Sequence, residues 1–451
     1  MDTPICDFVR DYALRNPLRL HMPGHKGAAL LGMERLDITE IAGADSLYEA
    51  DGIIARSEEN ASRLFGCRTV YSTEGSSQCI RAMLYLILQY ARQKGRRPWI
   101  AAGRNAHKTF LTAAALLDLD VRWLYPENNT GYLSCNLTAE ELDAFLDRQQ
   151  EKPAAVYLTN PDYLGKITDV ENLAEICHKH DVLLAVDNAH GAYLKFLSKS
   201  LHPMDLGADL CCDSAHKTLP VLTGGAYLHL SSELDAAVGS QVKNAMMLFG
   251  STSPSYLILQ SLDAANRYLE SYPHRLNATV TRLRAVKRRL SDHGYTLYGD
   301  EPLKLTIQAK AYGYTGTELA AYLRQQNMEP EFADPDYLVL MLTPELPEDA
   351  LLRLEQALCR LPARDPISDM PPVFLRAERV LSIREAMLSG SEVLPVERCL
   401  GRILAVLTVG CPPAVPILVC GERIDRQALK CFSYYGITQC CVVKESWEVS
   451  V

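Results

Sequence analysis

Asp213-Ser214-Ala215-His216-Lys217-Thr218 places a lysine three residues after the end of an apolar, strand-like run at 210–214. A lysine at the end of a buried strand is costly unless its amine is neutralised, paired or made covalent. A Schiff base with an aldehyde is one solution, because burial and nearby charge turn such an amine into a nucleophile. Taken alone, Lys217 could equally be a solvated loop lysine, so its interpretation depends on the stretches around it.

A second polar stretch, Val186-Asp187-Asn188-Ala189-His190-Gly191, ends the apolar run 182–186. A carboxylate buried there is costly without a partner. A protonated pyridine nitrogen is a suitable partner, because the carboxylate keeps the ring an electron sink when a bond to Cα breaks. Lys217 follows Asp187 by 30 residues, which leaves room for one strand–helix crossover. The two side chains can therefore face one ligand from nearby strands.

A strand-to-helix turn, Ser72-Thr73-Glu74-Gly75-Ser76-Ser77, offers backbone N–H groups and the positive end of a helix dipole to a phosphate. Ser76 is equally an ordinary N-cap residue. Phosphate binding at this turn is therefore inferred only together with the lysine and aspartate stretches. Asn105-Ala106-His107-Lys108 also follows a strand-like run, and His107 could stack on an aromatic ring or simply be hydrogen-bonded.

Between residues 68 and 230, short aliphatic or β-branched runs alternate with helical patterns, which predicts an α/β fold with a mostly parallel sheet. The predicted strands are 68–73, 99–103, 121–125, 154–159, 183–187, 210–214 and 226–230, with helices at 76–93 and 107–117. The polar stretches fall mostly at strand ends, where such sheets bind ligands. We predict an N-terminal arm (1–35), a large domain (36–260), a small α/β domain (261–365) and a C-terminal domain (366–451).

The composition argues against several classes of function. The chain has 451 residues, of which 22% are charged, and a formal net charge of −9, which argues against a nucleic-acid or polybasic membrane surface. Fourteen cysteines without a CxxC pair predict buried thiols, and the first ten residues lack an apolar signal region, so a cytoplasmic protein is expected. Residues 403–421 are uncharged, but their prolines break a membrane helix and favour two short strands around a turn.

Together the motifs resemble those of the ornithine/lysine/arginine decarboxylase family, the bacterial members with the aspartate-aminotransferase fold, in the short form without an N-terminal wing. The similarity begins at His21-Met22-Pro23-Gly24-His25-Lys26-Gly27 and covers nearly the whole chain. The other matching segments are 37–40, 44–47, 74–77, 104–108, 159–161, 187–191, 214–217, 251–256, 382–386, 392–395, 401–403 and 412–416.

The resemblance implies a fold type I large domain with smaller α/β C-terminal domains, and pyridoxal phosphate as the cofactor. It further implies decarboxylation of arginine, lysine or ornithine to a polyamine-pathway amine and carbon dioxide. Arginine is slightly favoured, because the short form resembles the biosynthetic arginine type.

The resemblance also assigns roles to residues. It implies that Lys217 forms the covalent imine with the cofactor, that Asp187 holds the pyridine nitrogen and that His107 stacks on the ring. The expected catalytic residues are Lys217, Asp187, His107 and His216. The expected cofactor-binding residues are Gly75, Ser76, Ser77, His107, Asp187, His190, Ser214, His216, Lys217 and Thr252. Because the family's segment matching Thr252 reaches a neighbouring subunit's cofactor phosphate, a homodimer or an assembly of dimers is expected.

A cationic substrate side chain needs an acidic partner, because a buried cation unmet by charge is costly. The candidates are Asp45, Asp162 and Glu392, each of which could equally be a surface carboxylate. Three departures from the family pattern, at Asn188, Asp162 and residues 218–220, leave altered specificity or reduced activity open.

Other interpretations remain. The same fold and cofactor could serve an aminotransferase or a β-eliminating lyase, since one scaffold supports many chemistries. A catalytically silent homologue that only binds the cofactor is a further alternative. A metal site built from histidines is disfavoured, because Pro23 and Gly24 break the helix that would place His21 and His25 on one face. We therefore expect no metal.

Overall fold

A computed structural model describes residues 1–127, 131–372, 376–407 and 413–445 of the chain. Its α-helices are α1 (Pro4–Arg15), α2 (Ile53–Phe65), α3 (Ser76–Gln93), α4 (Lys108–Leu117), α5 (Ala139–Asp147), α6 (Val170–Lys179), α7 (Ala215–Thr218), α8 (Ser232–Val238), α9 (Val242–Met247), α10 (Tyr256–Leu269), α11 (Tyr272–Asp292), α12 (Gly316–Gln325), α13 (Ala350–Cys359), α14 (Ile383–Leu388) and α15 (Arg426–Tyr434). In this part of the chain no helix is both long enough and apolar enough to cross a membrane.

The strands are β1 (Arg68–Ser72), β2 (Trp99–Gly103), β3 (Asp120–Leu124), β4 (Ala155–Thr159), β5 (Leu183–Asp187), β6 (Leu210–Asp213), β7 (Ala226–Leu230), β8 (Leu297–Tyr298), β9 (Lys304–Gln308), β10 (Phe332–Ala333), β11 (Tyr337–Met341), β12 (Ser391–Pro395), β13 (Leu404–Val406) and β14 (Gln439–Val443). The predicted strands at 99–103, 183–187 and 226–230 and the helix at 76–93 are confirmed to the residue. The other predicted elements between residues 68 and 230 agree to within one residue at each end.

The chain divides into two compact units. The first comprises residues 1–98, 146–160 and 170–277. The second comprises residues 99–145, 161–169 and 278–451, of which the ranges given above are described. The domain limits near residues 36, 261 and 366 stay a prediction.

The sheet of the first unit has the strand order β1-β7-β6-β5-β4. The central strands β4, β5 and β6 are parallel, whereas β7 is antiparallel to both β6 and β1. All five residues of β5 and all four of β6 are buried, as expected for apolar strands covered on both faces. Asp187 and Asp213 are the last residues of these two neighbouring strands, so the sheet brings two carboxylates to one edge.

The second unit contains the parallel pair β2–β3 and two antiparallel sheets. One sheet has the order β10-β11-β9-β8 and packs with α12 and α13 around a core that includes Leu305, Leu319 and Leu338. The other has the order β12-β14-β13, and Cys440 and Val442 of β14 belong to its core.

The expected pair of strands within residues 403–421 is only half right. The first is confirmed as β13, but the second is wrong, because the described residues 413–421 contain no strand. Pro413 and Pro416 have no N–H to donate to a strand ladder, which is the physical reason. Pro412, part of a family-like motif, lies outside the described residues.

A buried ion pair holds this proline-rich segment in the second unit. Arg104, which follows β2, donates through Nη2 to Glu422 Oε2 at 3.1 Å, and both side chains are almost fully buried. Arg104 also donates to the carbonyl oxygens of Pro416 and Ile417, both at 3.1 Å. Glu422 Oε2 accepts the backbone N–H of Val419 at 2.7 Å. Arg104 thereby serves as the hydrogen-bond donor for a segment that forms no strand.

Replacing Glu422→Gln should destabilise the protein, because it leaves the Arg104 charge buried without its counter-charge. We expect the free energy of unfolding to fall by about 3 kcal/mol, measured by urea denaturation followed by circular dichroism. The matched control is Glu378→Gln, which removes the exposed ion pair with Arg423 and should change stability by less than about 1 kcal/mol. Equal effects of the two variants would contradict the structural role of the Arg104–Glu422 pair.

Candidate active site

The predicted aspartate and lysine lie at the ends of neighbouring strands of the first unit. Asp187 ends β5 and pairs in register with Cys212 of β6. Ser214 follows β6 as the N-cap of the short helix α7, which carries His216 and Lys217. Because β5 and β6 are parallel, both chains leave the sheet at the same edge. The fold therefore brings the predicted carboxylate and amine to one edge, as the sequence indicates.

Asp187 is a buried carboxylate held by neutral donors. Tyr157 OH on β4 donates to its Oδ2 at 3.2 Å, and the backbone N–H of Ala189 donates to Oδ1 at 3.2 Å. The Cys212 thiol lies 3.7 Å from Oδ1. Burial raises the pKa of Asp187 above its ordinary value, and the nearby positive charge of Lys217 opposes that rise. A positively charged ring nitrogen is the kind of partner that would favour the ionised form.

Lys217 contacts a histidine from the aspartate stretch. Its Nζ lies 3.0 Å from His190 Nε2, and His190 is buried. His190 follows Asp187 by three residues, in the turn closed by the hydrogen bond of 2.7 Å from Gly191 N–H to the Asn188 carbonyl. One turn thus carries both the buried carboxylate and the partner of the lysine amine.

The turn predicted to bind phosphate joins the same unit. Helix α3 starts after Gly75, whose φ of 72° is in the region that favours glycine, and no side chain caps this helix end. The Gly75 N–H donates to the Gly224 carbonyl at 2.7 Å. Ser214 Oγ donates to Ser76 Oγ at 2.8 Å, which joins the residue after β6 to the first turn of α3. Hydroxyls and the helix dipole therefore meet here, the combination that binds anions.

His216 has its ring fixed by the backbone. Its Nδ1 lies 3.0 Å from the Gly225 carbonyl oxygen, so Nδ1 carries a proton and donates it. Burial lowers the pKa of His216 below its ordinary value. At neutral pH the ring is therefore uncharged, and Nε2 is an acceptor rather than a donor.

His107 belongs to the second unit, where it is the N-cap of α4. Its Nδ1 accepts the backbone N–H of Thr109 at 3.2 Å and lies 3.0 Å from the Thr109 hydroxyl. Ring stacking by His107 stays a prediction. Thr252, in the first unit, is exposed, and its role at a neighbouring subunit stays a prediction.

The three acidic candidates for the substrate side have different partners. Asp45 Oδ2 accepts the backbone N–H groups of Gly52 and Ile54, both at 2.8 Å, at the start of α2. Glu392 accepts a hydrogen bond of 2.9 Å from Arg402. Asp162 Oδ1 accepts the Lys166 N–H at 2.8 Å, while its Oδ2 is buried without a hydrogen-bond partner among the described residues. Burial raises the pKa of Asp162 to about 7.

Sequence reasoning overlooked two residues of this region. Tyr157 reads as a core residue of an apolar strand, although a buried hydroxyl needs a partner. Asp213 was quoted in the lysine stretch but given no role. Its charge at the end of a strand with four buried residues was the available signal.

The residues of the first unit fit pyridoxal phosphate. They supply an amine for the aldehyde at Lys217, a buried carboxylate for the ring nitrogen at Asp187 and an uncapped helix end with hydroxyls for the phosphate at Ser76 and Ser214. The aldehyde, the ring nitrogen and the phosphate of the cofactor therefore each have a chemically matched residue in this unit.

Known proteins and family models match most of this chain. The family model "Orn/Lys/Arg decarboxylase, major domain" matches residues 3–297, and that of the family's C-terminal domain matches residues 376–442. The chain is 28% identical to the arginine decarboxylase of Bacillus subtilis, covering 94% of this chain and 92% of that one. It is 29% identical to the arginine decarboxylase of Halalkalibacterium halodurans, covering 95% and 92%.

Solved structures show the fold. A lysine decarboxylase of Francisella novicida superposes with a TM-score of 0.81 at 16% identity, covering 98% of this chain and 81% of that one. A serine palmitoyltransferase of Sphingomonas wittichii superposes with a TM-score of 0.56 at 14% identity, covering 78% and 82%. The expected fold class, α/β of the fold type I pyridoxal-phosphate enzymes with a mostly parallel sheet, is confirmed. With its major-domain model matched over well over half of the chain, the protein belongs to the Orn/Lys/Arg decarboxylase family.

Proposed function

We propose that this protein decarboxylates a basic amino acid, with pyridoxal phosphate held covalently at Lys217. The observation that carries the proposal is the Lys217 amine, 3.0 Å from His190 Nε2, at the same sheet edge as the buried Asp187 carboxylate. The family's relatives named arginine decarboxylase support arginine as the first substrate to test. Lysine and ornithine are the alternatives within the same class, and the product would be a polyamine-pathway amine.

When bound, pyridoxal phosphate supplies the electron sink that lets the Cα–carboxylate bond of an amino acid break. Asp187 would hold the proton of the ring nitrogen, with Tyr157 orienting its carboxylate. Ser76, Ser77 and Ser214, at the start of α3 and after β6, would bind the phosphate.

The proton that returns to Cα after carbon dioxide leaves would come from Lys217 rather than His216. His216 Nδ1 donates to the Gly225 carbonyl, and its lowered pKa leaves the ring uncharged at neutral pH. Lys217 has an amine with exchangeable protons, and His190 can orient it across 3.0 Å. Lys217 would therefore act first as the attachment point and then as the general acid.

The first test compares Lys217→Ala with His216→Asn in a panel assay. The unaltered protein should be yellow and release carbon dioxide and amine from arginine, lysine or ornithine in preference to neutral amino acids. Lys217→Ala should lose the covalent link and slow turnover by about a thousandfold or more. His216→Asn should keep most of the activity, since the Asn amide can donate to the Gly225 carbonyl.

The same assay includes a keto acid as amino acceptor. Amino transfer to it without carbon dioxide release would identify an aminotransferase instead. Cofactor binding without turnover of any amino acid would identify a catalytically silent homologue. A borohydride-reducible adduct on another lysine of Lys217→Ala would contradict the choice of residue.

Among the acidic candidates, we propose Asp162 as the partner of the substrate's cationic side chain. Its Oδ2 is buried and has no hydrogen-bond partner in the described part of the chain, whereas the Asp45 carboxylate caps α2 and Glu392 pairs with Arg402. A buried carboxylate oxygen of this kind is costly unless a donor satisfies it. A guanidinium or ammonium group would provide that donor.

Asp162→Asn should lower kcat/KM for basic substrates by about a hundredfold and leave the visible spectrum unchanged. Because the pKa of Asp162 is raised to about 7, the carboxyl is protonated below that pH and charged above it. In the unaltered protein kcat/KM should therefore rise as pH rises through about 7, and this step should vanish in Asp162→Asn. If Glu392→Gln, and not Asp162→Asn, lowers kcat/KM for basic substrates, the partner of the substrate cation is Glu392. If neither substitution lowers it, neither residue binds the cationic side chain.

We also propose a homodimer or an assembly of dimers. Thr252 is exposed, and large apolar side chains are exposed in the N-terminal segment at Leu14, Leu18, Leu20, Leu30 and Leu31. Exposed apolar groups concentrated in one segment favour a protein–protein contact. A second copy of the chain is the partner that the expected shared site requires.

Sedimentation velocity should show a dimer or a multiple of dimers. Thr252→Ala should keep the assembly but raise the dissociation constant for pyridoxal phosphate about tenfold, the effect of losing one hydrogen bond to a charged group. Leu31→Ala, in the apolar segment, is the matched variant that should weaken assembly before it affects the cofactor. A fully active monomer would rule out a shared site.

A further inference from the structure

A buried polar group surrounds the end of β6. Asp213, His202 and His229 are completely buried. His202 Nε2 lies 3.0 Å, and His229 Nε2 3.2 Å, from the same carboxylate oxygen of Asp213, Oδ2. The other oxygen, Oδ1, accepts a hydrogen bond of 2.6 Å from Asn188 Nδ2. The chemistry proposed above uses none of these contacts.

The ring of His202 is a donor to Asp213. Its Nδ1 accepts the backbone N–H of Met204 at 3.3 Å, so the donor nitrogen of the ring is Nε2, the atom that faces Asp213. This assignment matters because His202, Cys211 and Asp213 hold potential metal-ligand atoms within 4.8 Å of one another. A metal would need the lone pair of Nε2 and a proton on Nδ1, and Nδ1 is already an acceptor. The group is therefore a hydrogen-bond network rather than a metal site.

The ring of His229 is held at both of its nitrogens. Its Nδ1 lies 2.9 Å from Thr69 Oγ1, and the Thr69 hydroxyl donates to the Cys67 carbonyl at 3.2 Å. Its Nε2 faces Asp213, so the carboxylate and the imidazole form a buried pair.

Asp213 and His229 shift each other's pKa values. Burial by itself would raise the pKa of Asp213, but the two histidines outweigh burial and hold that pKa well below its ordinary value. Burial lowers the pKa of His229, but Asp213 outweighs it and raises that pKa. Buried charged pairs add little net stability compared with apolar packing. The effect of this pair on the position of neighbouring side chains is therefore the more informative feature.

Asp213 contacts the turn at residues 187–191, which carries Asp187 and His190. Asn188 lies between Asp187 and His190, and its side chain is packed so tightly that a Cβ at Gly191 would lie 1.9 Å from Asn188 Oδ1. We propose that Asp213 is a positioning residue, which holds the Asn188 side chain and so fixes both the Asp187 carboxylate and His190. This inference rests on the proposed function, because only that function gives the Asp187 carboxylate and the His190–Lys217 contact a cofactor to hold.

The test exchanges the amide and the carboxylate of the Asn188–Asp213 pair. Asn188→Asp alone places two carboxylates 2.6 Å apart, and Asp213→Asn alone removes the carboxylate that faces both histidines. In the double variant, the amide introduced at position 213 can direct its oxygen to both histidines and its nitrogen to the carboxylate introduced at position 188. The contact then re-forms with reversed polarity. Asp235→Asn, which removes a partly exposed ion pair with Arg68, is the matched control.

Each single variant should raise the dissociation constant for pyridoxal phosphate about tenfold or more, the cost of misplacing a supporting contact. In the double variant the dissociation constant should return to within about threefold of that of the unaltered protein, because the effects of substitutions at contacting residues are not additive. Thermal unfolding without cofactor is recorded for every variant. Should Asp213→Asn fail to fold, Asn188→Ala, which keeps the Asp213–histidine contacts, should give the same loss of affinity with a nearly unchanged Tm.

Additive effects of the two single substitutions would overturn the proposal. A change in Tm without a change in cofactor affinity would also overturn it, because the network would then be structural only. Pyridoxal phosphate binding by the unaltered protein is measured first, and its absence would contradict the proposed function itself. Normal binding with no coupling between residues 188 and 213 would contradict the present inference alone.

Discussion

The organisation of the site depends on one constraint, the need to satisfy a carboxylate buried at the end of a strand. Asp187 meets it with neutral donors, namely the Tyr157 hydroxyl, the Ala189 N–H and the Cys212 thiol. These groups orient the carboxylate without neutralising it. The strand end therefore suits a cationic ring, and the turn that follows also supplies His190, the partner of Lys217.

Most of the first unit's sheet could be predicted from the sequence, because its strands are continuous apolar runs that end at polar residues. Strand β5 and helix α3 were predicted to the residue. Residues 413–421 were predicted wrongly, since an apolar run suggests a strand even where prolines remove the N–H groups that a ladder needs. Which segments cluster into compact units depends on contacts between residues far apart in sequence, and no local pattern reveals those.

Part of the site was predictable on energetic grounds, because burying a lysine or an aspartate at a strand end costs free energy unless its charge is paired or neutralised. Tyr157 was not, since its ring fits an apolar strand and only its hydroxyl distinguishes it from a core residue. The departure from the family pattern at Asn188 does not reveal its partner. The structure pairs Asn188 with Asp213, and this contact between the ends of neighbouring strands requires the sheet register to be known.

The contact of Arg104 with the segment around Glu422 makes two segments of the second unit depend on each other. Arg104 precedes His107 by three residues, and the N–H of Lys108 donates to the Ala414 carbonyl at 2.8 Å. The loop after β2 and the proline-rich segment thus complete each other's hydrogen bonds, and neither is satisfied alone. Moving residues 413–422 alone into a relative should therefore leave buried polar groups unsatisfied unless the loop that carries Arg104 moves with them.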